Sequence, residues 1–183
     1  MAVYGMVVGI LWAFFILYWL ISAISVKKDV YRRGAWWQRA IVFAVAAFIL
    51  TSLVPVWRTP LFPQSPALGI AAIILTALGV FFAVWARIHL GKNWSSQPAL
   101  KEGHELVTSG PYRFVRHPIY TGVILAFIGT AFVNNMLWDV VLLLVIIMFI
   151  RRVYVEDKLM AQQFPDQYPE YRKRTKALIP FIW

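Results

Sequence analysis

The sequence predicts an all-α integral membrane fold of five transmembrane helices, the last two forming a helix-turn-helix hairpin, and three observations predict it. Of 183 residues, 61% are hydrophobic and 14% charged, against about 45–50% and about 25% in a water-soluble domain. Several long runs carry no charge at all, so the apolar excess faces lipid rather than water. The net charge of +10 is concentrated in a few short segments. A basic nucleic-acid binder spreads Lys and Arg over a soluble face, and that class is excluded. With no cysteine in the chain, disulfides, thiolate metal sites and a cysteine nucleophile are excluded as well.

The first span is the uncharged run from Val3 to Ser25, and the second runs from Ala40 to Trp57. Each can cross about 30 Å of hydrocarbon at about 1.5 Å per residue. No positive residue precedes the first run and no small-residue cleavage site follows it, so it reads as a retained anchor. A loop punctuated by Pro60, Pro63 and Pro66 then leads to a third span, Ala67 to Ala86, ending near Arg87 and His89. Ile119–Val133 and Leu137–Ile150 are shorter runs separated by Asn134 and Asn135, and they make the hairpin. Each arm is near the lower length limit, so a tilted or partly re-entrant hairpin is the alternative.

Alternation of five spans puts every Lys and Arg except Arg58 on one side. Positive loops stay cytoplasmic, so the N-terminus is expected outside, with the 87–118 segment and the tail facing the cytoplasm. The whole chain reads as one multi-pass domain, residues 1–86 an anchor region and 87–183 the functional region. Asn93-Trp94-Ser95 matches a glycosylation sequon but falls on the cytoplasmic side of this topology.

The polar material is confined to two segments. The first, before the hairpin, is rich in Gly, Pro, His and aromatic residues, with Gly103, Gly110 and Pro111 as turn signals and Pro118 suited to a first helical turn. Free backbone N–H groups at that helix start are a candidate anion site, and a structured surface loop is the plainer reading. In the second, the last span is expected to continue as a helix past the membrane, with Arg152 and Glu156 four apart on one face. They either pair with each other, worth about 0.3–0.5 kcal/mol on a surface, or both point at a ligand. Phe164, Tyr168 and Tyr171 fit a helical packing stripe, and the basic residues of 172–176 can contact anionic headgroups.

The run Gly103-His104-Glu105-Leu106-Val107-Thr108-Ser109-Gly110-Pro111-Tyr112-Arg113, followed by Arg116-His117-Pro118-Ile119-Tyr120-Thr121-Gly122, resembles the signature of the isoprenylcysteine carboxyl methyltransferase family, related to the phospholipid methyltransferases. Arg152, Glu156, Phe164, Tyr168, Tyr171 and the closing Leu178-Ile179-Pro180 are similar to that family's C-terminal pattern. Two separated motifs agreeing are more specific than a lone Arg-His-Pro-x-Tyr. The resemblance covers roughly residues 84 to 183.

It implies a membrane methyltransferase that uses S-adenosylmethionine, enclosed between loop, hairpin and tail. Carried over by position, Gln97, His104, Glu105, Leu106, Val107, Tyr112, His117, Pro118, Ile119, Tyr120 and Glu156 would line the cofactor pocket, with Glu105 a backbone contact. Arg152 would face the substrate, a lipid-associated acceptor whose most plausible form is the α-carboxylate of an isoprenylated cysteine. A phospholipid N-methyltransferase of the phosphatidylethanolamine type and an NADPH-dependent sterol-type reductase are the alternatives, and the chain lacks a Gly-rich nucleotide fingerprint for the latter. Haem or metal ligation by His89, His104 and His117 is disfavoured, because they lack the i,i+4 spacing of a helical pair and have no clustered carboxylate or Cys beside them. A non-catalytic binding protein is a further alternative, against which the full set of motif residues argues.

Overall fold

A computed structural model describes residues 2–25, 29–32, 59–94, 99–101 and 105–183. Five α-helices lie within them: α1 Ala2–Ser22, α2 Pro66–Leu90, α3 Pro118–Val133, α4 Met136–Gln163 and α5 Gln167–Arg174. α1 and α2 are long and apolar enough to cross a membrane. The two hairpin arms fall where the uncharged runs put them, and α3, at 16 residues, is about 24 Å long, short of a straight crossing. The second expected span, Ala40–Trp57, lies outside the described residues.

Three features differ from the sequence expectation. Pro66 opens α2 instead of belonging to the loop, because Ser65 caps the helix by accepting from Leu68 N–H at 3.3 Å and a proline fits the first turn. The last span continues as a helix past the apolar run, as expected, as far as Gln163; the difference is a break there, where Pro165 cannot extend α4 and α5 starts afresh at Gln167. Within the helical fold there is also a short two-stranded ribbon, β1 Asp29–Arg32 pairing antiparallel with β2 Ala99–Lys101.

The core of the bundle is a seam of small residues. Gly69, Ala72, Thr76, Gly79, Ala83 and Ala86 are buried on α2 at alternating spacings of three and four, and Gly122, Ala126 and Gly129 are buried on α3. A Cβ on Gly122 would stand 2.6 Å from the Gly79 carbonyl and 2.7 Å from Ala83 N. The two backbones are in direct contact and run antiparallel. In lipid, where apolar side chains gain little by leaving their surroundings, such close approach supplies the van der Waals attraction that larger residues would prevent. Thr76 donates to the Ala126 carbonyl at 3.4 Å and Trp12 of α1 donates to Thr130 Oγ1 at 2.9 Å, adding polar ties between helices.

α1 runs parallel to α2. Tyr4 sits on Gly69 at one end, and at the other Arg87 of α2 donates to the Ser22 carbonyl at 2.6 Å and to the Gly91 carbonyl at 2.7 Å. Arg87 is only 3% exposed and lies over the Trp94 ring at 4.7 Å. One guanidinium thus satisfies the open carbonyl ends of two helices.

Gly79→Val forces a branched side chain against backbone atoms that cannot move aside, and is expected to destabilise the bundle by at least the ~1–3 kcal/mol of ordinary overpacking. Gly9→Ala, whose Cβ would meet nothing within 4 Å, should leave stability unchanged. Thermal unfolding of the two variants in one detergent separates them.

Candidate active site

The polar end of the bundle is built from the start of α3, the end of α4, α5 and the tail. Pro118 fixes the first turn of α3 as expected, with His117 immediately before it. The Tyr120 and Thr121 N–H groups both bond to the His117 carbonyl, at 3.0 and 3.2 Å. The expected anion site at this helix start is therefore reduced: Pro118 has no N–H, the Tyr120 N–H is used in this way and the His117 N–H donates to the Ala177 carbonyl at 3.0 Å.

Glu156 and Asp157, neighbours on α4, bracket the His117 ring. His117 Nε2 lies 2.8 Å from Asp157 Oδ1 and Nδ1 lies 3.4 Å from Glu156 Oε2. Arg116 Nη2 donates to Asp157 Oδ2 at 3.0 Å, and the Tyr168 hydroxyl donates to Asp157 Oδ1. Tyr120 donates to Glu156 Oε1 at 2.6 Å and Arg152 Nε donates to the same oxygen at 2.8 Å. The Tyr120 ring is stacked between His117, at 5.4 Å, and Phe149, at 4.4 Å, and the Arg152 guanidinium stands 5.5 Å from its centre. Arg152 and Glu156 are thus an i,i+4 pair, but one with side chains only 17% and 20% exposed. It differs from the solvated surface pair in being tied to an aromatic stack and a second ionic cluster.

Two carboxylates in one half-buried cluster stay ionised only with compensation. Burial opposes the charge on Glu156, but hydrogen bonds and charge from His117 and Arg152 outweigh it and bring its carboxyl down to about 2. Asp157 is held well below the usual carboxylate range by His117, Tyr168 and Arg116, again against burial. Burial pushes the His117 imidazole down, and the hydrogen bonds to Asp157 and Glu156 reverse that and raise it above its ordinary value. The arrangement favours the protonated imidazole, held between two carboxylates with arginines on the outer sides.

The loop and tail close over this cluster. Tyr112 is buried and its carbonyl accepts from the Tyr171 hydroxyl at 2.6 Å. Arg116 N–H and His117 N–H bond to the Lys176 and Ala177 carbonyls at 2.8 and 3.0 Å, so the tail runs beside the loop that carries the histidine. Ile119, Tyr112, Tyr120, Phe149 and Val153 share one apolar cluster with Val107 packed on it. Leu106 and Val107 are half-buried and Glu105 is exposed. Gln97 and His104 lie outside the described residues.

The structure therefore brings together Tyr112, His117, Pro118, Ile119, Tyr120, Arg152 and Glu156 of the sequence-expected residues. It adds Asp157, Arg116, Tyr168 and Phe149, which come together only once α4, α5 and the loop before α3 are folded against one another. Tyr168 and Tyr171 pack as expected, and their hydroxyls also carry bonds. His89 takes no part: its Nδ1 faces the Trp85 carbonyl at 3.0 Å and its ring lies on Gly110, whose positive φ of 58° and missing Cβ make the room.

The phospholipid methyltransferase family model matches residues 68–167, more than half of the chain and the part that carries His117, Tyr120, Arg152 and Glu156. The chain belongs to the phospholipid methyltransferase family. Within it, the chain is 28% identical over 184 residues to the protein-S-isoprenylcysteine O-methyltransferase of Schizosaccharomyces pombe, covering 93% of this chain and 72% of that one. Similarity thus extends beyond residues 84–183 into the N-terminal spans. The chain is also 28% identical over 159 residues to the cobalt-zinc-cadmium resistance protein CzcN of Cupriavidus metallidurans, covering 82% of this chain and 64% of that one. Among solved structures, a eukaryotic intramembrane Ras methyltransferase, isoprenylcysteine carboxyl methyltransferase, matches with a TM-score of 0.56 and 25% identity over 84% of this chain. The chain spans 55% of the length of that solved protein. Family and apolar helices agree on an integral membrane methyltransferase.

Asp157→Asn would leave Arg116 and His117 without their counter-charge, and is expected to cost about 3–5 kcal/mol, as removal of one partner from a buried pair does. The pH dependence follows from the same cluster. The contribution of His117 is complete below its ordinary value of 6.5 and is lost as pH rises through the raised folded value. That of Glu156 is complete above its ordinary value of 4.5 and is lost as pH falls toward about 2. Stability of the purified protein should peak between about 4.5 and 6.5 from these groups, and His117→Gln should flatten the alkaline limb of a thermal-shift series.

Proposed function

We propose that the chain transfers a methyl group from S-adenosylmethionine to a lipid-bearing acceptor in the membrane, and that the acceptor is the α-carboxylate of an isoprenylated cysteine. The observation that carries this is the Arg152–Glu156–Tyr120–His117 constellation, fixed at the polar end of an apolar bundle by residues that match the family motifs. The chemistry of the donor set fits the cofactor. Glu156 offers negative charge to a cationic ligand, Tyr112, Ile119 and Val107 offer apolar and aromatic walls, and partial exposure of Glu156 and Arg152 leaves both reachable.

In this reading Gln97, His104, Glu105, Leu106, Val107, Tyr112, His117, Pro118, Ile119, Tyr120 and Glu156 hold the cofactor. When bound, it supplies an activated methyl group. A carboxylate acceptor is already deprotonated at neutral pH, so the protein needs no general base and contributes alignment and exclusion of water. Arg152 holds the acceptor. Its guanidinium is shared with Glu156, so it orients the carboxylate without fully neutralising it. His117, with both ring nitrogens facing carboxylates, positions Glu156.

The topology proposed is an N-terminus outside and the site cytoplasmic, residues 1–86 anchoring the region 87–183. The sidedness rests on the charge distribution, and two features support the relative placement of the segments. β1 and β2 join the segment after α1 to the segment after α2, consistent with both on one face. Residues on either side of 33–58 lie at opposite ends of the bundle: β1 pairs beyond the α2 C-terminus, whereas the Thr59 carbonyl accepts from Met136 N–H at the start of α4.

A second reading, in keeping with a family described as phospholipid methyltransferases, is methylation of a phosphatidylethanolamine-type amine. Labelled methyl transfer by the purified chain in lipid, offered farnesylcysteine analogues and phosphatidylethanolamine in parallel, decides between them. Transfer to the first is expected, transfer to the phospholipid alone would establish the second, and absence of cofactor binding would sink both. Glu156→Gln should weaken cofactor binding by roughly ten- to a hundredfold, the scale of a lost charged hydrogen bond. Arg152→Lys should keep cofactor affinity and lower turnover with a carboxylate acceptor, because Lys lacks the planar fork.

A further inference from the structure

The tail beyond the site ends in an apolar turn that the proposed reaction does not use. Lys176–Leu178 is fixed beside the mouth of α3, by a parallel bridge between Val115 and Lys176 and by the Thr121 hydroxyl donating to the Leu178 carbonyl at 2.7 Å. Thr121 lies in the first turn of α3, where the apolar run begins, so the tail is held at the depth of that helix end.

The chain then folds back on itself. Leu178 N–H and Ile179 N–H donate to the Trp183 main-chain oxygen at 2.8 and 2.6 Å, and Trp183 N–H donates to the Ile179 carbonyl at 3.1 Å. This closed turn holds Phe181 at a φ of +67°, uncommon for an aromatic residue, and leaves it 93% exposed with Ile182 at 73%. A strained backbone that displays two large apolar side chains is doubly unfavourable in water.

Two neighbouring features say what covers it. Tyr154 is exposed on α4 with its ring 6.4 Å from that of Trp183, and it lies four residues, about 6 Å, past the end of the Leu137–Ile150 run. Tyr and Trp at that level form the aromatic belt of a membrane interface. Arg172, Lys173, Arg174 and Lys176 are all exposed on and just after α5, with Lys173 paired to Glu170 at 2.6 Å.

We propose that residues 179–183 form a wedge in the headgroup–acyl boundary of the bilayer, with Arg172, Arg174 and Lys176 bound to anionic phospholipid headgroups. An apolar tip flanked by cations at headgroup depth is the pattern of interfacial anchors. The wedge rests on the reading of α3 and α4 as membrane-entering. Because Lys176 and Ala177 also accept from Arg116 and His117, lipid binding steadies the loop that carries the site histidine.

The absence of native cysteine allows one label at Phe181→Cys in the full chain. With a polarity-sensitive fluorophore there, emission should be blue-shifted in phosphatidylcholine nanodiscs containing phosphatidylserine, quenched by headgroup-proximal nitroxide lipid, and weaker without phosphatidylserine. Each replacement of Arg172, Arg174 or Lys176 by Gln should lower the docked-to-free ratio about fivefold. Water-like emission in the anionic discs would overturn the wedge, and so would a shift that depends on the number of chains per disc and not on lipid charge. Alkaline extraction of the unlabelled chain checks the membrane-embedded reading separately.

Discussion

Glu156 and Asp157 are adjacent carboxylates at the polar end of a hydrophobic bundle, and the need to keep both ionised organises everything around them. An uncompensated charge in such surroundings costs several kcal/mol. The compensation comes from different elements: Arg116 and His117 from the loop before α3, Tyr120 from α3, Arg152 from α4 and Tyr168 from α5. The packing of α5 and the tail is thus a consequence of charge satisfaction as much as of apolar burial. The same requirement fixes the geometry of the cluster, since Arg152, Tyr120 and Glu156 are locked by His117 and, through it, by Asp157.

The other half of the molecule coheres by a different force. Between α2 and α3 the side chains are small, and the backbones approach directly at Gly79, Gly122 and Gly129. Attraction of this kind is short-ranged and tolerates little adjustment. It makes α2 and α3 a rigid pair that delivers Ile119 and Tyr120 to one end at fixed depth.

Much of this was legible in the sequence where a physical constraint has one solution. A bilayer demands uncharged runs, so the positions of α1, α2 and the hairpin could be read from the spacing of charges. A first-turn proline needs no N–H, so Pro118 marked the start of α3. His117, Tyr120, Arg152 and Glu156 were legible through motif spacing. Asp157 was not, because a residue one position on is rotated about 100° around the helix, and its inward orientation depends on α5 folding back after Pro165. Arg116 was hidden for the same reason, since its partners, Asp157 and the Thr175 carbonyl, come together only in three dimensions. Strands of three and four residues carry no periodicity to detect. Nor does an aromatic stripe reveal that Tyr168 and Tyr171 bond through their hydroxyls.

Arg87 ties events in time as well as elements in space. The Ser22 carbonyl it caps lies 65 residues earlier in the chain. At roughly 5–20 residues per second of synthesis, α1 exists for roughly 3–13 s before its clasp has been made. During that interval the end of α1 depends on water or headgroups for its hydrogen bonds. The parallel alignment of α1 with α2 is therefore a late event of assembly, completed by a residue at the far end of the helix it recruits.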